Sequence, residues 1–141
     1  MERFFSREKR ARFDTIYPYK DFAKRIRKLK KELVYKIRVL KKKKKRIVGY
    51  GAPARGSVML NYCDFGPRTI DYIVDSISYK QGRMIPGKHI PIFPEKKLES
   101  DRPDYVFLLA WNFADEILNK QKKFRKQGGK FIIPIPELRI V

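Results

Sequence analysis

Apolar positions along the chain change period once, and the change divides it into two parts. From Asp21, the residues Phe22, Ile26, Leu29, Leu33, Ile37 and Leu40 recur at steps of three or four, which sets them on one face of a helix. Asp21 suits an N-cap, and the helix predicted from it runs to Lys45. Beyond Arg46 the chain becomes short apolar runs alternating with helical stretches, the pattern of a parallel sheet with crossover helices. Arg46 to Tyr50 reads as the first strand. The next helix has Pro53 in its first turn and stops at Gly66-Pro67, as proline at a start and glycine at an end imply. Thr69 to Asp75 is a second strand, and "IPIF" from Ile90 is a short third one. Glu95 to Ser100 is a helical turn. "DYVFLLAW", ending at Trp111, has the unbroken apolar content of a strand covered on both faces. A helix over 113–126 and a last strand, "KFIIPIPEL" from Lys130, complete the series.

Right-handed crossovers and sequential pairing arrange these strands in the order 3-2-1-4-5. The predicted fold is α/β: a Rossmann-like, doubly wound, mostly parallel sheet of about five strands, preceded by a long basic N-terminal helix. Residues 1–20 are expected as an irregular basic arm, 21–45 as the amphipathic helix and 46–141 as the Rossmann-like domain.

Charge adds a second division. The net charge is +20, and residues 1–46 hold 20 Lys/Arg against 5 Asp/Glu while 47–141 hold 15 against 10. Most of the excess therefore precedes the sheet. Twenty cations interleaved with Phe4, Phe5, Phe13, Tyr17 and Tyr19 could follow a nucleic-acid backbone. No nucleic-acid-binding motif is present, however, and the apolar stripe of the helix calls for a protein partner. Nucleic acid is therefore disfavoured, and the run Lys41 to Lys45 is read as a solvated helix end. The stripe over 22–40, if it does not fold back onto the sheet, would pair with a second copy or another domain. A single cysteine, Cys63, rules out an internal disulfide, and no Cys/His cluster has zinc-ligand spacing. Cys63 sits among apolar residues and reads as a packing thiol. No apolar run approaches the roughly 20 residues of a membrane span, so a soluble, cytoplasmic protein is expected.

The candidate chemistry begins at "GYGAPA". Gly49, Tyr50, Gly51, Ala52, Pro53 and Ala54 satisfy G-x-G-x-x-A between a strand and a helix, the turn that brings backbone N–H groups against a phosphate. Pro53 removes one donor, and Arg55 can replace it with a bidentate contact. Asp75 lies 24 residues after Gly51 at the end of the second strand, the place of a ribose-binding carboxylate. The less favoured alternative is a glycine turn that only packs helix on strand. Lys80 and Arg83, in a Gly/Pro loop with Lys88, are candidates to neutralise a diphosphate or are solvated loop cations. His89 is a candidate base or phosphate ligand, or a surface residue. Trp111 could stack on a base and Asn112 hydrogen-bond a ligand; the alternative is a buried aromatic followed by a helix N-cap. Nothing resembles a Ser-His-Asp or paired-carboxylate constellation, so no catalytic and no metal-binding residue is assigned.

The segments "GYGAPARGSVMLNYC", "IDYIVDSISYKQGRMIPGKHIPI", "RPDYVFLLAWN" and "GGKFIIPIPEL" occur in this order, and together they resemble the C-terminal domain of the sugar-nucleotide C-methyltransferases. The resemblance covers about residues 20–141. It implies a domain that helps hold a nucleoside-diphosphate deoxysugar, with S-adenosylmethionine and the acid/base residues in a separate domain or partner chain. No cofactor is then bound directly here, and the isolated chain is not expected to be catalytically competent. By the same resemblance Gly49, Gly51, Ala52 and Arg55 lie near phosphate and Asp75 near a hydroxyl. Two alternatives remain: an NAD- or coenzyme A-binding regulatory or oxidoreductase module, and nucleic-acid binding through the basic N-terminal region.

Overall fold

The structure, a computed structural model, describes residues 12–13 and 15–141. The expected arm therefore lies largely outside the described residues, at 1–11 and 14. Its end is helical: α1 spans Tyr17–Lys42. It begins four residues before the predicted Asp21, and its N-cap is Ile16 with no side-chain cap. Pro18 accounts for the difference, because its fixed φ and missing N–H suit the first turn, and Asp21 falls inside the helix.

Only the C-terminal half of the α1 stripe is buried. Leu33, Ile37 and Leu40 enter the core, while Phe22 remains 58% exposed. The helix thus folds back onto the sheet along half its length. The lysine run is also more engaged than a solvated end. Lys41 pairs with Asp71 at 3.4 Å and Lys45 with Asp104 at 2.8 Å. Next to them, Arg46 grips Asp101 with both terminal nitrogens, at 2.6 and 3.1 Å. These pairs fasten the end of α1 to the start of the sheet.

The strands are β1 (Ile47–Tyr50), β2 (Ile73–Asp75), β3 (Ile92–Pro94), β4 (Tyr105–Leu108), β5 (Lys130–Ile133) and β6 (Arg139–Ile140). They form one six-stranded sheet in the order β3-β2-β1-β4-β5-β6. The first five pair in parallel, in the order read from the sequence, and β6 pairs antiparallel with β5. What read as one last strand is two short ones, because Pro134 and Pro136 cannot donate into a ladder and the chain turns back. The second strand is likewise only its last three predicted residues.

Helices α2 (Ala54–Cys63), α3 (Lys96–Asp101), α4 (Ala114–Lys120) and α5 (Lys122–Lys126) connect the strands. The stretch predicted as one helix over 113–126 is a 3-10 turn at Trp111–Phe113 followed by α4 and α5, which break at Gln121. Strand side chains alternate between two cores. Ile47, Ile73, Phe107 and Ile132 meet α1 and α2 on one face. Val48, Val74, Val106 and Phe131 meet α3, α4 and α5 on the other. Burial on both faces explains the unbroken apolar strands. Among the described residues no helix is long and apolar enough to cross a membrane.

Candidate functional site

β1, β2 and β4 all deliver their carboxyl ends to a cleft of about 300 Å³. Its position follows from topology: β1 leads to α2 on one face and β4 to α4 on the other, so the chain parts between them. Tyr50, Gly51, Ala52, Pro53, Arg55, Asp75 and Lys80 line it, together with Ser76, Glu95, Ala110, Phe113, Glu116 and Lys120.

The glycine turn has internal reasons for its glycines. Gly51 has φ +82°, and a Cβ there would lie 2.7 Å from the Ala110 side chain. Gly49 is buried within β1 beside β2, where a Cβ would lie 2.6 Å from Ile73, and it does not line the cleft. The third small residue of the pattern, Ala54, is exposed; close packing of α2 rests on Gly56, where a Cβ would lie 3.0 Å from the Leu109 side chain.

Asp75 organises the turn. It is 5% exposed, and its carboxylate accepts the Ala52 N–H at 2.6 Å and the Ile77 N–H at 2.8 Å. Lys80 reaches the same carboxylate at 3.5 Å. The Gly51 N–H donates to the Val74 carbonyl, and Gly56 and Ser57 donate to the Pro53 carbonyl. Pro53 has no N–H. Among the described residues this leaves the Ala54 and Arg55 N–H groups as the free donors at the start of α2, where the helix dipole is positive.

The opposite wall carries a network that sequence reasoning did not find. Buried Tyr50 donates its hydroxyl to Glu95 at 2.6 Å, Gln121 reaches that hydroxyl at 3.5 Å, and Lys120 pairs with Glu95 at 2.6 Å. Burial and the Glu95 contact push the Tyr50 phenol well above its ordinary range. Tyr50 is thus a neutral donor fixed in place. Glu95, Lys120 and Gln121 come from the N-cap of α3, the end of α4 and the break before α5, and only the pattern of a helix start near 95 hinted at them.

The remaining candidates lie elsewhere. Arg83 is exposed, on the loop whose backbone pairs with the start of β3. His89 is exposed at φ +54°, in the turn that meets the far end of α2. There Asn61 donates to the Pro86 carbonyl and Lys88 pairs with Asp64. A ten-residue helix separates that end from the cleft by about 15 Å, so neither His89 nor Lys88 reaches it. Asn112 is exposed and does not cap α4, whose N-cap is Phe113. Trp111 is beside the cleft but not in it: the Arg55 guanidinium lies 5.5 Å from the centre of its ring, and both line a separate groove against α1. Cys63 is buried in that region, and burial raises its thiol pKa, as fits a packing role.

The family described as C-methyltransferase C-terminal domain matches residues 1–136. The chain belongs to the C-methyltransferase C-terminal domain family. A relative, the C-methyltransferase NovU of Streptomyces niveus, is 39% identical over 123 residues, which are 87% of this chain and 29% of that protein. The chain thus spans under a third of the relative's length.

Proposed function

We propose that this chain is the sugar-nucleotide-holding part of an S-adenosylmethionine-dependent sugar C-methyltransferase. Methyl transfer itself takes place in a part of the enzyme outside these 141 residues. The observation that carries this reading is the family match to a C-terminal domain together with a polar cleft at the carboxyl ends of β1, β2 and β4, where a Rossmann-like sheet takes ligands.

Each group has a role in that cleft. The diphosphate sits against the Ala54 and Arg55 N–H groups at the start of α2, with the Arg55 guanidinium and the Lys80 ammonium neutralising its charge. Tyr50, Glu95 and Lys120 form the wall met by the remainder of the ligand, with hydroxyl-recognising chemistry on both the donor and acceptor side. Asp75 holds Ala52 and Lys80 in place and is a positioning residue. S-adenosylmethionine is assigned to another part of the enzyme on the family match to a C-terminal domain, and the NAD and coenzyme A alternatives are separated by titration.

Thermal-shift titration of the chain against nucleoside-diphosphate sugars, NAD, NADP, coenzyme A and S-adenosylmethionine tests the reading. A ligand at 100 times its Kd stabilises by about 2.7 kcal/mol. Stabilisation by sugar nucleotides alone is the expected result. A shift with NAD or coenzyme A and none with sugar nucleotides would overturn it.

A further inference from the structure

The groove on the other side of Arg55 is unlike the cleft. It encloses about 610 Å³ between the N-terminal half of α1 and the outer face of α2, and its surface is almost wholly apolar. Phe22 and Ile26 form one side and Val58, Met59 and Tyr62 the other. Phe22 is 58% and Val58 69% exposed, so the stripe that buries Leu33, Ile37 and Leu40 continues uncovered into this groove. Contiguous apolar surface of this kind marks an interface. Its rim is cationic. Arg27, Lys30 and Arg55 border it, with the Lys30 ammonium 4.4 Å above the Tyr62 ring.

We infer that the groove is the docking face for the preceding, methyl-donor-binding part of a C-methyltransferase, presented as an apolar ridge flanked by carboxylates. This inference rests on the functional reading above. Two further observations select this occupant. In a relative where the matching segment is a C-terminal domain and 29% of the length, the rest of the protein joins through the N-terminal end of α1, the end that carries the uncovered stripe. The three rim cations, Arg27 and Lys30 on α1 and Arg55 on α2, form no ion pair among the described residues, where α1 pairs only through Lys28 with Glu32 and Lys41 with Asp71; they call for an acidic counterpart and discourage a second identical copy. Arg55 borders both the groove and the cleft and lies over Trp111. A docked partner therefore covers the Arg55–Trp111 pair and limits where the guanidinium can sit, linking domain docking to the grip on diphosphate.

The test uses this chain, NovU lacking the segment matched here as the partner, and exposed groove positions whose replacement leaves the core intact. Association is measured by isothermal titration, with the mass of each species by light scattering. The expected result is a one-to-one complex that weakens at least tenfold with Val58→Asp and with Phe22→Ser, and at least fivefold with the Arg27→Glu, Lys30→Glu pair or on raising salt from 50 to 500 mM. Should the truncated partner fail to fold, the same variants are made in a full-length chimera with this chain replacing the matched segment. Acrylamide quenching of Trp111, the chain's single tryptophan, then reads out docking against a control with the partner's tryptophans replaced. Protection of Trp111 that Val58→Asp removes supports docking. Association or protection indifferent to all these variants overturns it. So does a chain dimeric by itself that Val58→Asp makes monomeric, or a Trp111 protected in the chain alone until residues 1–11 are removed. Sugar-nucleotide titration of the chain without partner separates the two ideas: binding there with no docking removes only this inference, and docking with no binding removes only the functional reading.

Discussion

The cleft and the groove lie on either side of Arg55 and differ in how they treat polar groups. In the cleft, buried Tyr50 and Asp75 are hydrogen-bonded by protein groups, and the groups left over are donors at a helix start and side-chain cations at a mouth. In the groove almost nothing is polar, and its apolar side chains stop short of a partner. A prepared polar surface suits a small charged ligand, because preorganised donors lose little on binding. An uncovered apolar surface suits a protein, because its gain comes from excluding water over area. One short segment, Pro53 to Tyr62, builds both by turning its first N–H groups to the cleft and its helical face to the groove.

The largest effect that sharpens this contrast falls where the groove meets the core. Leu33 is 1% exposed, so Leu33→Ala should destabilise the fold by roughly 2–5 kcal/mol, seen as a lower urea midpoint. Gly51→Ala comes next. Its positive φ and the 2.7 Å approach to Ala110 predict a loss of about 1–3 kcal/mol, with the turn distorted and ligand binding lost alongside. Asp75→Ala leaves the Ala52 and Ile77 N–H groups without their acceptor, and about 1–3 kcal/mol is expected from denaturant melts.

The acid limb of stability is set at neither site but at the start of the sheet. The Arg46 contact holds the Asp101 carboxyl below its usual range, and the Lys45 contact does the same for Asp104. A carboxylate whose folded pKa is depressed contributes fully above the unfolded value, about 3.9, and loses that contribution as pH falls through the folded one. Melting temperature should therefore fall below about pH 4, and Asp101→Asn should lower it at neutral pH and flatten that fall. The smallest effect is at the groove rim, where Val58→Ser should change stability by less than about 0.5 kcal/mol. A large loss there would mean that the groove is part of the core.

Legibility in the sequence followed the range of the interactions concerned. The helix stripe, the strand–turn–helix at Gly49 to Arg55 and the order of the first five strands depend on periodicity and nearest neighbours, and all could be read. The start of α1 was misplaced because Pro18 outweighs a good cap at Asp21. The glycines were read for a ligand's approach, yet Gly49 and Gly51 make room for Ile73 and Ala110, which are distant in sequence. The Tyr50–Glu95–Lys120 wall joins three elements and left no local signal beyond a helix start near 95. His89 and Arg83 share a loop with Lys80, but Met84 pairs with Pro91 as the chain returns along β3, which carries Met84 to His89 away from the cleft.

Calorimetric titration of the chain with a nucleoside-diphosphate sugar, repeated on Arg55→Ala, addresses the central claim most directly. The account predicts one-site binding that Arg55→Ala weakens at least tenfold while the fold, by circular dichroism, stays intact. Absence of binding, or binding of equal strength in the variant, would contradict it.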